Sequence, residues 1–450
     1  MSLNRLPERF SWRAIGAIAV VVLLAVAFRA GVLWKYGSQL AEDHDNYRAI
    51  AQQMAAGKGF SDPQSGQASA YRPPLYPFLL SVIIRCGGSD GAIGILQVIL
   101  GVVTVVLTID AGRRLGLGYG SFAAGLLVAV DPILLYQTSQ VMTETTATFL
   151  AALCLWLCLW PETSFKGISI SGLAIGVVFG AACLCRPTFW AFGVMAGLIW
   201  VVLHIRSIDW QEGFSDGGIR PAVIALAGVL AVVGPWAQRN SKVLGRPVMT
   251  TTHGGYTLLL AHNPEYAKAV VEQPWGTVWQ SPSFDQWSES IESELAALKP
   301  PLGQASLNPK VELKRDDWMN ARAWSFINRD KKMAVRTGLS LLVRMWNIAP
   351  AATGTQGRSN ELRLAIGAFY IPVLAAMLVG MFRVLRSHYN TWWLPVALIF
   401  SYSAVHALYW ADMRMRAPLV PAIALLVAAS WFEIERGSDQ QNEKKSRKKD

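Results

Sequence analysis

The sequence predicts an all-α integral membrane protein with about ten transmembrane helices, within a range of 10–12. Three observations carry this expectation. Hydrophobic residues make up 52% of the 450-residue chain and charged residues only 16%, where a soluble chain would carry roughly a quarter charged. Several apolar runs reach the roughly 20 residues that a helix needs to cross a bilayer. The excess positive charge, +11 in all, gathers at the termini and in short loops between these runs. Lys and Arg on the cytoplasmic side orient membrane segments in this way, so the basic balance is assigned to topology, and nucleic acid is not expected as a partner.

In chain order the spans are read at 13–34, 91–111, 118–136, 141–160, 168–185, 187–205, 219–236, 364–383, 391–410 and 416–433. Arg5, Arg9 and Arg13 precede the first run, and Ala25-Val26-Ala27 resembles a cleavage site. The run resumes after Arg29, so it reads as an uncleaved signal anchor, inside to outside. Two apolar pieces are short for a span, Leu75–Cys86 and Gly338–Pro350, the latter carrying Arg344; both read as membrane-surface or partly inserted helices. With neither spanning, Arg113-Arg114, Lys166, the 206–218 loop, Arg383, Arg386 and the tail Lys444–Lys449 all fall in the cytoplasm. Stretch 35–73 and the large loop 237–335 then share the outer side. The expected units are 1–236 with a first loop at 35–77, an extracytoplasmic loop 237–352, C-terminal helices 353–435 and a basic cytoplasmic tail 436–450. The expected location is the plasma (inner) membrane. The five cysteines lie in or against apolar runs without metal-like spacing, and read as small buried side chains.

The first loop is the first polar excursion in this chain. It holds Glu42, Asp43 and Asp45, then an amphipathic helical pattern at Tyr47, Ile50, Ala51 and Met54, a Gly57/Gly59 turn, and Tyr71-Arg72-Pro73-Pro74. Carboxylates beside a membrane face are costly unless solvated, paired or used. Other polar groups fall on the same outer side under this topology: Asp131-Pro132, Glu144, Arg186-Pro187, Pro235-Trp236 with Arg239-Asn240, and Asp412, Arg414 and Arg416. An outward-facing polar cavity follows, suited to glycosyl transfer from a lipid phosphate. Arginine forks match phosphate oxygens, and a carboxylate can take the acceptor's proton. Each arginine has the alternative of a lipid-headgroup anchor, and Asp131 and Glu144 that of simple ion-pair partners. In the large loop, Trp275, Trp279, Trp287, Trp318 and Trp324 read as interfacial anchors or core in preference to sugar-stacking faces. The acidic helix Asp285–Leu298 reads as a solvated face; His253 stands beside the Gly254-Gly255-Tyr256 turn.

These residues resemble the polytopic GT-C glycosyltransferases that use polyprenyl-phosphate sugars. The likeness is nearest to the group of protein O-mannosyltransferases and lipid A aminoarabinose transferases, glycosyltransferase family 39. It rests on Asp43 four before Tyr47, the stretch Ala51 to Gly59, the R-P-P-x-Y-P of Arg72–Pro77, Pro132 with Glu144, Arg186-Pro187, Pro235-Trp236 with Arg239-Asn240, and the R-x-R-x-P-x-x-P of Arg414–Pro421, all in the family's order. The resemblance implies an inverting, hexosyltransferase-like enzyme of cell-envelope glycan assembly. Asp43 is then the general base, with Asp45 and Glu144 as secondary acidic candidates. Arg72, Arg239, Arg414 and Arg416 would hold the donor phosphate, and Tyr47, Tyr71 and Arg186 would line the pocket. It implies membrane lipid, a polyprenyl-phosphate sugar and an acceptor glycan, lipid or protein as partners. Some members carry a second acidic residue where this chain has Tyr71, so the sequence speaks against a two-carboxylate mechanism and a divalent metal. The main alternative is a polytopic transporter of a lipid-linked or anionic substrate, which would place ionisable residues near mid-membrane and show repeat halves. A non-catalytic assembly or scaffold protein, which would keep the fold yet tolerate loss of Asp43, is the third.

Overall fold

The computed structural model describes residues 12–161, 163–165, 168–207, 216–304, 308–350 and 359–434. Lys166, most of the 206–218 loop and the basic tail lie outside them. The helices, in order, are α1 (Trp12–Tyr36), α2 (Tyr47–Ala55), α3 (Leu75–Arg85), α4 (Asp90–Arg114), α5 (Gly120–Val130), α6 (Pro132–Gln137), α7 (Glu144–Cys158), α8 (Ile170–Cys185), α9 (Phe189–Ser207) and α10 (Asp216–Leu244). After α10 come α11 (Gly254–Ala261), α12 (Pro264–Tyr266), α13 (Ser283–Ala297), α14 (Pro309–Arg329) and α15 (Lys331–Met345). The chain closes with α16 (Asn360–Ser387), α17 (Tyr389–His406) and α18 (Val420–Trp431), the last entered through a 3-10 turn, Met413–Leu419. Every expected span coincides with a helix or a broken pair of helices. Five segments are long and apolar enough to cross a membrane: Trp12–Ala41, Asp90–Arg114, Ile219–Leu244, Asn360–Ser387 and Met413–Trp431. Helices α3, α5, α7, α8 and Phe189–Leu203 are apolar but shorter.

Small residues set the closest helix contacts. Gly172, Gly176 and Gly180 recur every fourth position on α8 and face α10; a Cβ on Gly176 would overlap the Ala225 carbonyl. On α16, a Cβ at Gly380 would overlap the Leu426 carbonyl of α18. In lipid the tails are as apolar as leucine, so helices associate through such close backbone approach.

One expected span is broken. Pro132 cannot donate to the preceding turn, so α5 ends at Val130 and α6 restarts with Pro132 at its first turn. Asp131 caps the restart, accepting from Leu134 N at 3.1 Å, and its other oxygen accepts from Tyr370 Oη at 2.9 Å. The carbonyls stranded at the end of α5 are met from α1. Arg29, only 1% exposed, donates to Val128 O at 3.4 Å and Ala129 O at 3.3 Å. Gly101 of α4 makes room, since a Cβ there would overlap the guanidinium.

The segment between α10 and α16 folds as a compact helical cap. Trp279 and Trp287 are buried in it, with Tyr266 and Phe284 against Trp279; Trp275 and Trp324 are exposed. Helix α13 is amphipathic. Trp287, Ile291 and Leu295 face inward, while Glu292 and Glu294 pair with Arg315 and Arg322 of α14. Its acidic residues thus dock two helices, where the sequence suggested only a solvated face.

Candidate active site

The first loop is anchored from both ends. Asn46, at φ 61°, turns the chain into α2. Asp43 reaches over this turn: its oxygens accept from Arg48 N at 3.1 Å and Ala49 N at 2.8 Å. A carboxylate at a helix N-terminus satisfies free amides and complements the helix dipole. Two bonds also fix its orientation. Arg85 of α3 closes the far end of α2 on Met54 O at 2.8 Å, and Gly57 takes the left-handed conformation that ends the helix. Tyr47 packs edge-on to Tyr76 of α3, centroids 5.5 Å apart.

Arg72 sits where the loop returns to the bundle. Its Nη2 donates to Asp45 Oδ1 at 2.8 Å, and its Nη1 lies 3.5 Å from His253 Nε2. The guanidinium also stands 5.6 Å from the Tyr47 ring and 5.3 Å from the Tyr71 ring. Burial and this adjacent guanidinium hold the His253 imidazole well below its ordinary pKa, so it is neutral near pH 7.

Beneath this layer three helix ends converge. Glu144 opens α7 and is 2% exposed; Arg186 follows α8; Arg414 lies in the turn before α18. Glu144 Oε1 is 3.2 Å from Arg186 Nη1 and 3.8 Å from Arg414 Nε. Arg414 Nε is also 3.2 Å from Asp412 Oδ2. Glu144 Oε2 has no hydrogen-bond partner among the described residues. The structure thus gathers Asp45, Tyr47, Tyr71, Arg72, Glu144, Arg186 and Arg414 around one end of the bundle.

Two of the expected arginines are engaged elsewhere. Arg239 donates to Phe60 O and Ser69 O, each at 2.6 Å, and holds the 60–69 stretch against α10. Arg416 is fully buried, donating to Met345 O at 3.3 Å and Asn347 O at 3.1 Å with its guanidinium 4.3 Å from the Tyr370 ring. It therefore faces the Asp131–Tyr370 pair and the end of α15, while Arg414 two residues earlier faces Glu144. Alternate positions of a tight turn point to different sides, which the shared R-x-R motif does not disclose.

The cap supplies a second wall. Glu312 of α14 accepts from Ala70 N at 2.9 Å and Thr252 Oγ1 at 2.5 Å, and Asp316 accepts from Gly255 N at 2.6 Å. A cleft of about 130 Å³ lies between first loop and cap, with Asp45, Tyr71 and Arg72 on one side and Tyr256, Arg315 and Asp316 on the other. Burial pushes the Asp316 carboxyl up to about 6 against the opposing pull of the Gly255 amide. Sequence reasoning missed Glu312, Arg315 and Asp316. Their spacing puts them on one face of a helix, but nothing local says that this face meets the first loop. Among the described residues no group of three or more His, Cys, Asp or Glu could hold a metal ion.

Comparison with known proteins agrees with this architecture. Residues 71–236, which include Arg72, Glu144 and Arg186, match the family model described as dolichyl-phosphate-mannose-protein mannosyltransferase. The fold is that of the GT-C integral membrane enzymes. Over 93% of its length the chain superposes on the archaeal oligosaccharyltransferase AglB from Archaeoglobus fulgidus, solved with an inhibitory peptide and a dolichol-phosphate, with TM-score 0.52 and 15% identity. The apo form of the Archaeoglobus fulgidus oligosaccharyltransferase gives 0.53 at 14% identity over 94% of this chain. The chain spans about half the length of these oligosaccharyltransferases, 50% in each case. ArnT from Cupriavidus metallidurans, bound to undecaprenyl phosphate, is similar over 93% of this chain and 78% of its own, at TM-score 0.43 and 14% identity. No curated protein sequence matches the chain. The GT-C resemblance and the predominantly helical membrane architecture expected from the sequence are borne out, with one short β-pair, Ser164–Phe165 against Ile168–Ser169, as an addition.

Proposed function

We propose that this chain is a membrane glycosyltransferase that moves a sugar from a polyprenyl-phosphate donor to an acceptor glycan, lipid or protein at the extracytoplasmic face of the plasma (inner) membrane. One observation carries the reading: Arg72, Arg186 and Arg414 converge on Glu144 and Asp45 where the helices end beneath the first loop. Arginines grouped there suit a lipid phosphate whose chain lies along the helices. Arg72 and Arg414 are the proposed phosphate ligands, each bearing guanidinium edges that a phosphate can approach. Glu144 holds Arg186 and Arg414 in place. Arg239 and Arg416, spent on backbone carbonyls, position the loop and the last helix.

In the proposed step an acceptor hydroxyl or amine attacks the anomeric carbon from the face opposite the phosphate. The bond from that carbon to the phosphate oxygen breaks, its electron pair leaves with the polyprenyl phosphate, and the acceptor's proton passes to a carboxylate. Inversion follows. Asp43 is the proposed base: two amides orient it, and its remaining lone pairs are free to accept a proton. A second reading assigns the base to Asp45, because Asp45 lines the cleft.

Purified protein supplied with a panel of polyprenyl-phosphate sugars and scored for release of polyprenyl phosphate tests the activity. Asp43→Asn should lower turnover by roughly 10²–10⁴-fold with donor binding kept. Loss confined to Asp45→Asn would move the base to Asp45. Release from no donor in the panel, or full activity in both variants, would bring the transporter reading forward.

A further inference from the structure

A groove of about 260 Å³ lies away from the charged cluster, between the α12 region and the junction of α14 with α15. Phe326, Ile327, Met333 and Ala334 give it an apolar lining. Lys268 and Arg329 stand at its rim, and Lys331, Lys332 and Arg336 follow on the first turns of α15, all exposed. The acidic groups nearby are Glu265, Glu272 and Asp330. Glu265 lies 4.0 Å from Lys268, and Asp330 is occupied in capping α15 through Met333 N at 2.8 Å. Arg329, Lys331, Lys332 and Arg336 form no ion pair among the described residues.

Helix α15 itself is apolar on two opposite faces. Thr337, Leu341 and Met345 are buried against the protein, and Gly338 abuts the Ala407 carbonyl just beyond α17. Two positions round, Val335, Leu339 and Val343 are 63%, 58% and 51% exposed. Such a stripe, on a helix packed at the C-terminal end of α17, suits hydrocarbon, and the cations at its N-terminal end suit the headgroup layer. A soluble anion would answer the cations but leave the groove and stripe unexplained.

We propose that this junction is a binding site for an anionic phospholipid, with one acyl chain in the groove and the phosphate held by Arg329, Lys331, Lys332 and Arg336. The site is independent of the catalytic reading. To test it, the full chain is reconstituted with equal phosphatidylglycerol and phosphatidylcholine, released gently, and its retained lipids are counted by native mass spectrometry. Wild type should retain the anionic lipid in preference, by about fivefold for each cation that contributes. The triple variant Lys331→Gln, Lys332→Gln, Arg336→Gln should lose that preference, and Met333→Trp, which fills the groove, should lower retention. A control, Arg383→Gln with Arg386→Gln, should retain lipid as wild type does; thermal midpoints matched to wild type exclude misfolding. Equal retention of both lipids by wild type, or an undiminished preference in the triple variant, would overturn the proposal.

Discussion

Arg72 illustrates how one side chain can be prepared for an anion without being used up. Asp45, His253 and two tyrosine rings surround it, yet only Asp45 carries a charge against it. Arg72→Lys should therefore weaken donor use, because an ammonium cannot make the two-pronged contact; titration with a polyprenyl-phosphate sugar measures this. Arg414 and Arg416 should separate in the same assay. Arg414→Ala should weaken donor binding at near-normal stability. Arg416→Ala should chiefly lower the thermal midpoint, by removing a buried cation and leaving two carbonyls unmatched. Asp316 makes a pH prediction. Its folded-state pKa is raised from 3.8 to about 6. The folded chain thus keeps a proton that the unfolded chain has lost, so this contribution to stability is full below 3.8 and disappears as pH rises through 6. Asp316→Asn keeps an acceptor for Gly255 and should flatten that loss. It should raise stability at pH 7–8 by about 1 kcal/mol, discounted for partial exposure, as read from thermal midpoints across pH.

Among the elements, the α8–α10 pair depends most on sequence detail. Gly176→Leu would drive a side chain into the Ala225 carbonyl, where backbone cannot yield cheaply. Overpacking typically costs about 1–3 kcal/mol, and a lowered midpoint together with aggregation in detergent should report it. The helices themselves were legible in the sequence because long apolar runs and proline breaks act locally. The break at Asp131-Pro132 was the exception: its residues were singled out as polar, but an apolar run conceals an interruption when the partner that repairs it, Arg29, lies about a hundred residues away. The cap was less legible. Its docking onto the first loop relies on Glu312 meeting the backbone amide of residue 70, and its own α11–α14 packing on Asp316 meeting that of residue 255, contacts without any sequence pattern of their own. The clustering of Glu144, Arg186 and Arg414 was legible where motifs mark helix ends, and the parting of Arg414 from Arg416 was not, because the two share a motif but not a direction.

For the whole molecule, the proposed chemistry requires first loop and cap on the same side of the membrane, and the Ala70 contacts with Thr252 and Glu312 join them. A reporter at Gly57 or Gln286 should be accessible from outside and one at Gly116 from the cytoplasm. Labelling of Gln286 from the cytoplasm would sink both the topology and the proposed placement of the reaction.

The seating of Arg29 also has a consequence in time. Its acceptors, Val128 and Ala129, are synthesised about a hundred residues later. At roughly 5–20 residues per second, the guanidinium waits several seconds or more without its final partners. A cation at the centre of an isolated membrane helix costs about 2.5–3.5 kcal/mol by insertion scales, which is an upper bound for Arg29 in the C-terminal third of α1. The nascent α1 therefore enters the bilayer under a handicap that α5 later removes, and its N-terminal half, apolar from Ile15 to Phe28, must hold it there meanwhile. Arg29→Leu should insert α1 more readily and yet yield less folded protein, because the broken helix would then lack the group that completes it.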